Sequence, residues 1–99
     1  MSIATQFHGE LNGSTDAKQL PDKKFNYAYI KAMPANTGNV YVGGATVTRA
    51  GGSSDSTTTG FVLDAGDVLP IDGEGNMNMF YIICDSAADD ITYWGLTLY

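Results

Sequence analysis

The chain has 99 residues, 43% hydrophobic and only 16% charged, with a formal net charge of −6 at pH 7. That length supports one core and leaves no room for a second. Five scattered lysines and arginines against eleven acids exclude the clustered cations that a nucleic-acid partner requires, and a single cysteine, Cys84, excludes an intramolecular disulfide and a cysteine-based zinc site.

In chain order, Ile3, Thr5 and Phe7 alternate with Ala4, Gln6 and His8, which predicts a first strand or an extended arm within residues 1–18. Asn12-Gly13 is a turn signal. Asn12-Gly13-Ser14 also matches a glycosylation sequon, but no basic-then-apolar export signal precedes it, so it reads as a turn. No stretch approaches the ~20 apolar residues of a membrane helix, and the expectation is a protein made soluble in a cytosol. Residues 14–19 form a polar connector, and Leu20-Pro21 opens a β-sandwich domain over 19–99. Lys23-Lys24 reads as a solvated strand entry.

Over 24–33, Phe25, Tyr27 and Tyr29 alternate with Ala28, Ile30 and Ala32, the period of a strand apolar on both faces. Proline, asparagine and glycine end it at 34–38, and Val40-Tyr41-Val42 returns as the second strand of a central hairpin, closed by Gly43-Gly44. Residues 45–48 offer a brief strand around Val47, and the polar run 49–60 a mobile surface loop. Phe61-Val62-Leu63 is a strand, 64–67 a turn, and 68–71 a short edge strand because of Pro70. Residues 72–76 turn again. Residues 77–84 and 91–99 form a C-terminal hairpin joined by 85–90. With no helical recurrence and turn signals every ~8–12 residues, the fold class is all-β: a single antiparallel β-sandwich or jelly-roll-like barrel of about seven to eight strands.

Three strands carry more apolar surface than one core absorbs, since an antiparallel sheet with one wet face needs one polar side. Phe25, Tyr27 and Tyr29 oppose Ala28, Ile30 and Ala32. Met77, Met79, Tyr81 and Ile83 oppose Phe80, Ile82 and Cys84. Ile91, Tyr93 and Tyr99 oppose Trp94, Leu96 and Leu98. One surplus face is expected to be a subunit or docking contact, the alternatives being a loop folded over it or scattered surface aromatics that need no explanation. Phe7, Tyr27, Tyr29, Tyr81, Tyr93, Trp94 and Tyr99 are the candidate interface residues, of the types that interface centres favour.

Chemistry is sparse. His8, the one histidine, has no nucleophile motif at a recognisable spacing, and reads as a strand histidine. Asp72-Gly73-Glu74-Gly75-Asn76 alternates oxygen ligands with glycines, as a calcium loop does, but lacks the downstream bidentate carboxylate and reads as a glycine-rich turn. Asp85, Asp89 and Asp90 could close a second oxygen site or be solvated charges at a sheet end. Paired carboxylates for glycoside hydrolysis have no local support. Gly43-Gly44 and Gly51-Gly52 lack the lysine and helix of a phosphate loop, and Cys84, within Phe80-Tyr81-Ile82-Ile83-Cys84, reads as an inert buried thiol. No enzyme, metal or cofactor is expected.

Three segments carry a resemblance: Lys31-Ala32-Met33-Pro34-Ala35-Asn36-Thr37-Gly38-Asn39-Val40-Tyr41-Val42-Gly43-Gly44, Thr59-Gly60-Phe61-Val62-Leu63-Asp64-Ala65-Gly66-Asp67, and Phe80-Tyr81-Ile82-Ile83-Cys84-Asp85 with Ile91-Thr92-Tyr93-Trp94-Gly95. Over residues 19–96 the chain resembles a small β-sandwich domain of tailed-phage virion proteins, and at this size a head decoration (cement) protein. The resemblance implies a non-enzymatic virion component, made in the host cytoplasm and bound to the major capsid protein on the capsid exterior. It implies a homo-oligomer, favouring a trimer at local three-fold positions, that stabilises the shell. The polar loop 49–60 is longer than the pattern, and residues 1–18 lie outside it. Rival readings are a carbohydrate-binding module, with Trp94 and the tyrosines stacked on sugar rings, and a small tail or baseplate component.

Overall fold

The computed structural model describes residues 4–49 and 57–98. Eight strands form two antiparallel sheets. One holds β1 (Ala4–Asn12), β3 (Lys24–Ala32), β6 (Val68–Asn76) and β8 (Asp90–Leu98) in the order β1-β8-β3-β6. The other holds β2 (Lys18–Gln19), β4 (Val40–Gly43), β5 (Phe61–Leu63) and β7 (Tyr81–Cys84) in the order β2-β7-β4-β5. The expected antiparallel β-sandwich is what the chain forms.

The pairs β1·β8, β2·β7, β3·β6 and β4·β5 are those of one long hairpin with its tip in the connection 44–60. Winding that hairpin brings β3 beside β8 and β4 beside β7, which is the jelly roll. Every consecutive connection except β4 to β5 therefore crosses between sheets. This corrects two expectations: β3 and β4 are not a hairpin, and neither are β7 and β8. Their connections, 33–39 and 85–89, hydrogen-bond to each other instead of closing ladders of their own.

Asp89 joins them. It is 1% exposed and is the buried charged residue among the described residues. Its carboxylate accepts from the backbone N–H of Thr37 at 2.9 Å and of Gly38 at 2.8 Å, and its carbonyl accepts from Gly13 N–H at 2.8 Å. Beside it the Asn36 side chain donates to the Asp90 carbonyl (2.8 Å) and accepts from the Asp90 N–H (2.9 Å). The Asp85 carboxylate accepts from Asn39 N–H at 3.2 Å and from the Tyr41 hydroxyl at 3.3 Å. A Cβ on Gly38 would stand 2.8 Å from the Asp85 Cβ, and one on Gly13 would strike the Asp89 carbonyl. Three crossings thus meet at one end of the sandwich, and their three aspartates are committed to holding it.

The core between the sheets includes Leu20, Phe25, Ile30, Val40, Leu63, Met77, Ile82 and Ile91, with Phe7, Leu11 and Tyr93 partly buried against it. Strand β6 runs through Asp72–Asn76, where a turn is expected. The ladder shifts register between Phe25 and Tyr27, and Gly73 takes φ +125°, a value suited to glycine. The bulge turns Phe25 inward to stack on Phe80 at 6.4 Å, so Phe25 does not share a face with Tyr27 and Tyr29. Met77–Met79, expected as strand, is a turn of 3-10 helix capped by the Asn76 side chain, which accepts from Asn78 N–H. Met77 is buried and Met79 exposed.

The two outer faces differ. On the sheet β2-β7-β4-β5, Val47 packs on Tyr41, Ile83 and Tyr81, so the connection 44–48 covers part of the surplus there and leaves Val62, opposite Tyr41, 47% exposed. Instead of a brief strand, this segment is a turn ending in an isolated bridge between Thr48 and Thr59. The mobile loop expected at 49–60 lies for its central part, 50–56, outside the described residues.

Burial pushes the Cys84 thiol up, against a smaller opposing pull from the Ser14 backbone, and the carboxylates of Asp89, Asp90 and Asp85 add to the rise. The thiol should not react with Ellman's reagent at pH 8 until denaturant is added, because the thiolate is the nucleophile. Replacing Asp89 by Ala leaves buried N–H donors unmatched and should cost about 3 kcal/mol, read as a lower urea midpoint.

Candidate functional site

The outer face of the sheet β1-β8-β3-β6 has no covering segment among the described residues. Its register sets side chains in rows across four strands: His8, Trp94, Tyr29 and Pro70 in one, Gln6, Leu96, Tyr27 and Asp72 in the next, and Glu10, Thr92, Lys31 and Val68 on the other side. Residues one position along each strand point to the core, as the period of two requires.

The middle of this face is aromatic. Tyr29 lies 5.2 Å from Tyr27 and 6.0 Å from Trp94, with interplanar angles of 70° and 36°. The Tyr29 hydroxyl donates to the Tyr27 oxygen at 3.0 Å. Trp94 is 36% exposed, Val68 46% and Leu98 48%. Between β1 and β6 the face sinks into an open cleft of about 430 Å³, lined by His8, Gly9, Tyr29, Lys31, Val68, Thr92, Tyr93 and Trp94, a volume within the small-molecule range. Lys31 is its cation, and the His8 Nδ1 lies 3.2 Å from the Gln6 Oε1.

Of the seven sequence-predicted interface residues, Tyr27, Tyr29 and Trp94 come together here. Phe7 and Tyr93 turn inward as a tilted pair with centroids 6.3 Å apart, Phe7 covering Gly95 and Tyr93 covering Gly9. Tyr81 belongs to the cluster on the opposite outer face, and Tyr99 lies outside the described residues. His8, Lys31, Thr92 and Val68 were not among the predicted residues. Their parity with Trp94 and Tyr29 carries the signal, but only once β1, β8, β3 and β6 are known to be neighbours.

Two of the oxygen side chains considered for a cation within 72–76 are engaged in the fold. Glu74 accepts from Asn26 Nδ2 at 3.3 Å, and the Asn76 Oδ1 accepts from Lys23 N–H at 3.0 Å. No group of three or more His, Cys, Asp or Glu suited to a metal occurs among the described residues. The face offers aromatic and aliphatic contact with one cation beside it, but no flat platform, because its rings are tilted.

Toward a Tyr29 phenolate the Tyr27 hydroxyl is the donor, and that hydrogen bond and the like charge raise the Tyr27 phenol above its ordinary range, with desolvation and Asp72 adding. A raised folded-state value means that any stability it contributes is present below the ordinary tyrosine range and is lost as pH rises through the folded value. Tyr29→Phe removes the two largest causes and should bring the 295 nm absorbance titration of Tyr27 back toward lower pH. Comparison with protein families, with curated proteins and with solved structures finds no match to this chain.

Proposed function

We propose that the protein is a non-enzymatic structural component of a phage particle, a decoration protein that docks on the major capsid protein at the head exterior and stabilises the shell. The observation that carries this reading is the uncovered outer face with Tyr27, Tyr29, Trp94 and Val68, on a domain whose other outer face is partly covered by Val47. The sequence resemblance to virion β-sandwich domains points the same way, and the jelly roll is a scaffold on which coat and lectin functions both occur. Each copy buries a modest area, and the repeating shell turns weak single contacts into avidity.

The carbohydrate reading has one observation in its favour, the exposed Trp94 beside Lys31 and Thr92 in the cleft. The interplanar angles of 36° and 70° weigh against it, because rings stacked on successive sugars need a common plane. Assembly is therefore the reading adopted.

The test is co-sedimentation with phage shells stripped of accessory proteins. The parent protein should pellet with shells, and Trp94→Ala and Tyr29→Ala should each lose at least about tenfold in affinity, the scale of a central aromatic anchor. Phe61→Ser, on the other sheet, should not, and circular dichroism confirms that each variant is folded. Equal pelleting of all four proteins, or none, would overturn the assignment of this face.

A further inference from the structure

Sheet edges are templates for pairing with another chain, and folded proteins blunt them. Three of the four edges here are blunted. Strand β2 has two residues, one of them Lys18, and β5 has three. Strand β6 carries Pro70, the bulge opposite Phe25 and Tyr27, and the charges of Asp72 and Glu74. Strand β1 is the exception. It is nine residues long, pairs with β8 without a register shift, and contains no proline and no lysine, the Lys18 ammonium reaching only its last carbonyl, that of Asn12.

We propose that residues 6–12 of β1 pair antiparallel with the same residues of a second copy, joining two four-stranded sheets into one of eight. The occupant is a second copy because the strand complements itself in one register, the one that sets Gly9 opposite Gly9 at the two-fold axis. There His8 faces Glu10 of the other copy, twice by symmetry, and on the inner face Phe7 meets Leu11. Gln6 meets Asn12 at the ends. Hydrogen-bonded polar pairs, such as an imidazole opposite a carboxylate, and apolar cross-strand pairs are units that stabilise antiparallel sheets. Shifting the strands by two residues one way sets Glu10 against Glu10, and shifting them the other way removes both His8–Glu10 pairs. The axis falls on a residue without a side chain. Gly9 is also fixed as glycine from within, since the Tyr93 ring occupies the space of a Cβ. The clefts of the two copies, each lined by His8, Gly9 and Trp94, then lie on one side of the joined sheet.

An isologous contact closes with two copies, so this edge yields a dimer where the sequence resemblance implies a trimer. The inference does not depend on shell binding, and its test needs only the purified full chain. Sedimentation equilibrium at ~10–100 μM should give the dimer mass. His8→Glu, which sets carboxylates opposite each other at two symmetric places, should weaken association about tenfold, and adding Glu10→Lys should restore it. Gln6→Cys and Asn12→Cys proteins should form a disulfide-linked dimer when mixed. Neither should do so alone, because like positions lie six residues out of register, far beyond the ~7 Å Cα limit of a disulfide. A monomer or a trimer throughout the concentration range would overturn the proposal. So would a His8→Glu protein that associates as tightly as the parent, or cross-linking that is as strong in the single variants as in the mixture.

Discussion

The carboxylate of Asp89 is the point on which the architecture turns. A wound hairpin must carry its chain repeatedly from one sheet to the other, and each crossing leaves backbone groups that no ladder satisfies. Asp89 offers acceptors to two N–H groups of the segment 33–39, while its own carbonyl takes the N–H of Gly13. One residue thereby joins the end of β1 and the connection between β3 and β4 to the start of β8. No buried side-chain nitrogen or oxygen among the described residues lacks a partner, so the cost of burying this charge is met by hydrogen bonds. Glycine at positions 13 and 38 belongs to the same arrangement, since side chains there would occupy the space of the aspartates.

With the crossings held, the two sheets are free to differ on their outer sides. One is partly covered by its own chain through Val47, on Tyr41 and Ile83. The other keeps Tyr27, Tyr29, Trp94 and their aliphatic neighbours against solvent, a contiguous apolar surface of the kind that marks interaction sites. The acidic balance of the chain keeps such a surface from associating indiscriminately, and the tilt of the rings makes it better suited to packing against a shaped protein surface than to stacking flat ligands.

Much of this was legible in the residues. Alternation in 91–99 separates Trp94, Leu96 and Leu98 from Ile91 and Tyr93, and the two sets do lie on opposite faces, although which face turns inward was not legible. The strand positions of β3, β4, β5 and β7 follow from turn chemistry and β-branched or aromatic content. The failures share a cause. Whether Pro34 to Gly38 closes a hairpin or spans two sheets depends on partners fifty residues away, Asp89 and Asp90, which no local pattern reveals. The inward turn of Phe25 depends on a bulge shared with β6, and the continuation of β6 through two glycines depends on the ladder that β3 provides. Asp85, Asp89 and Asp90 looked like solvated charges or ligands because composition alone does not distinguish a free carboxylate from one that accepts from backbone.

The long-hairpin topology also orders the events of folding. The pair β4·β5 is separated by one loop, while β1·β8 joins segments nearly the whole chain apart. Closing the widest loop from an open chain is entropically slow, but each pair formed from the tip outward shortens the next closure. A zipper running from the tip adds β1·β8 last. By microscopic reversibility β1 is then the first strand to detach along that route, so the hydrogen bonds between β1 and β8 are the earliest lost in unfolding.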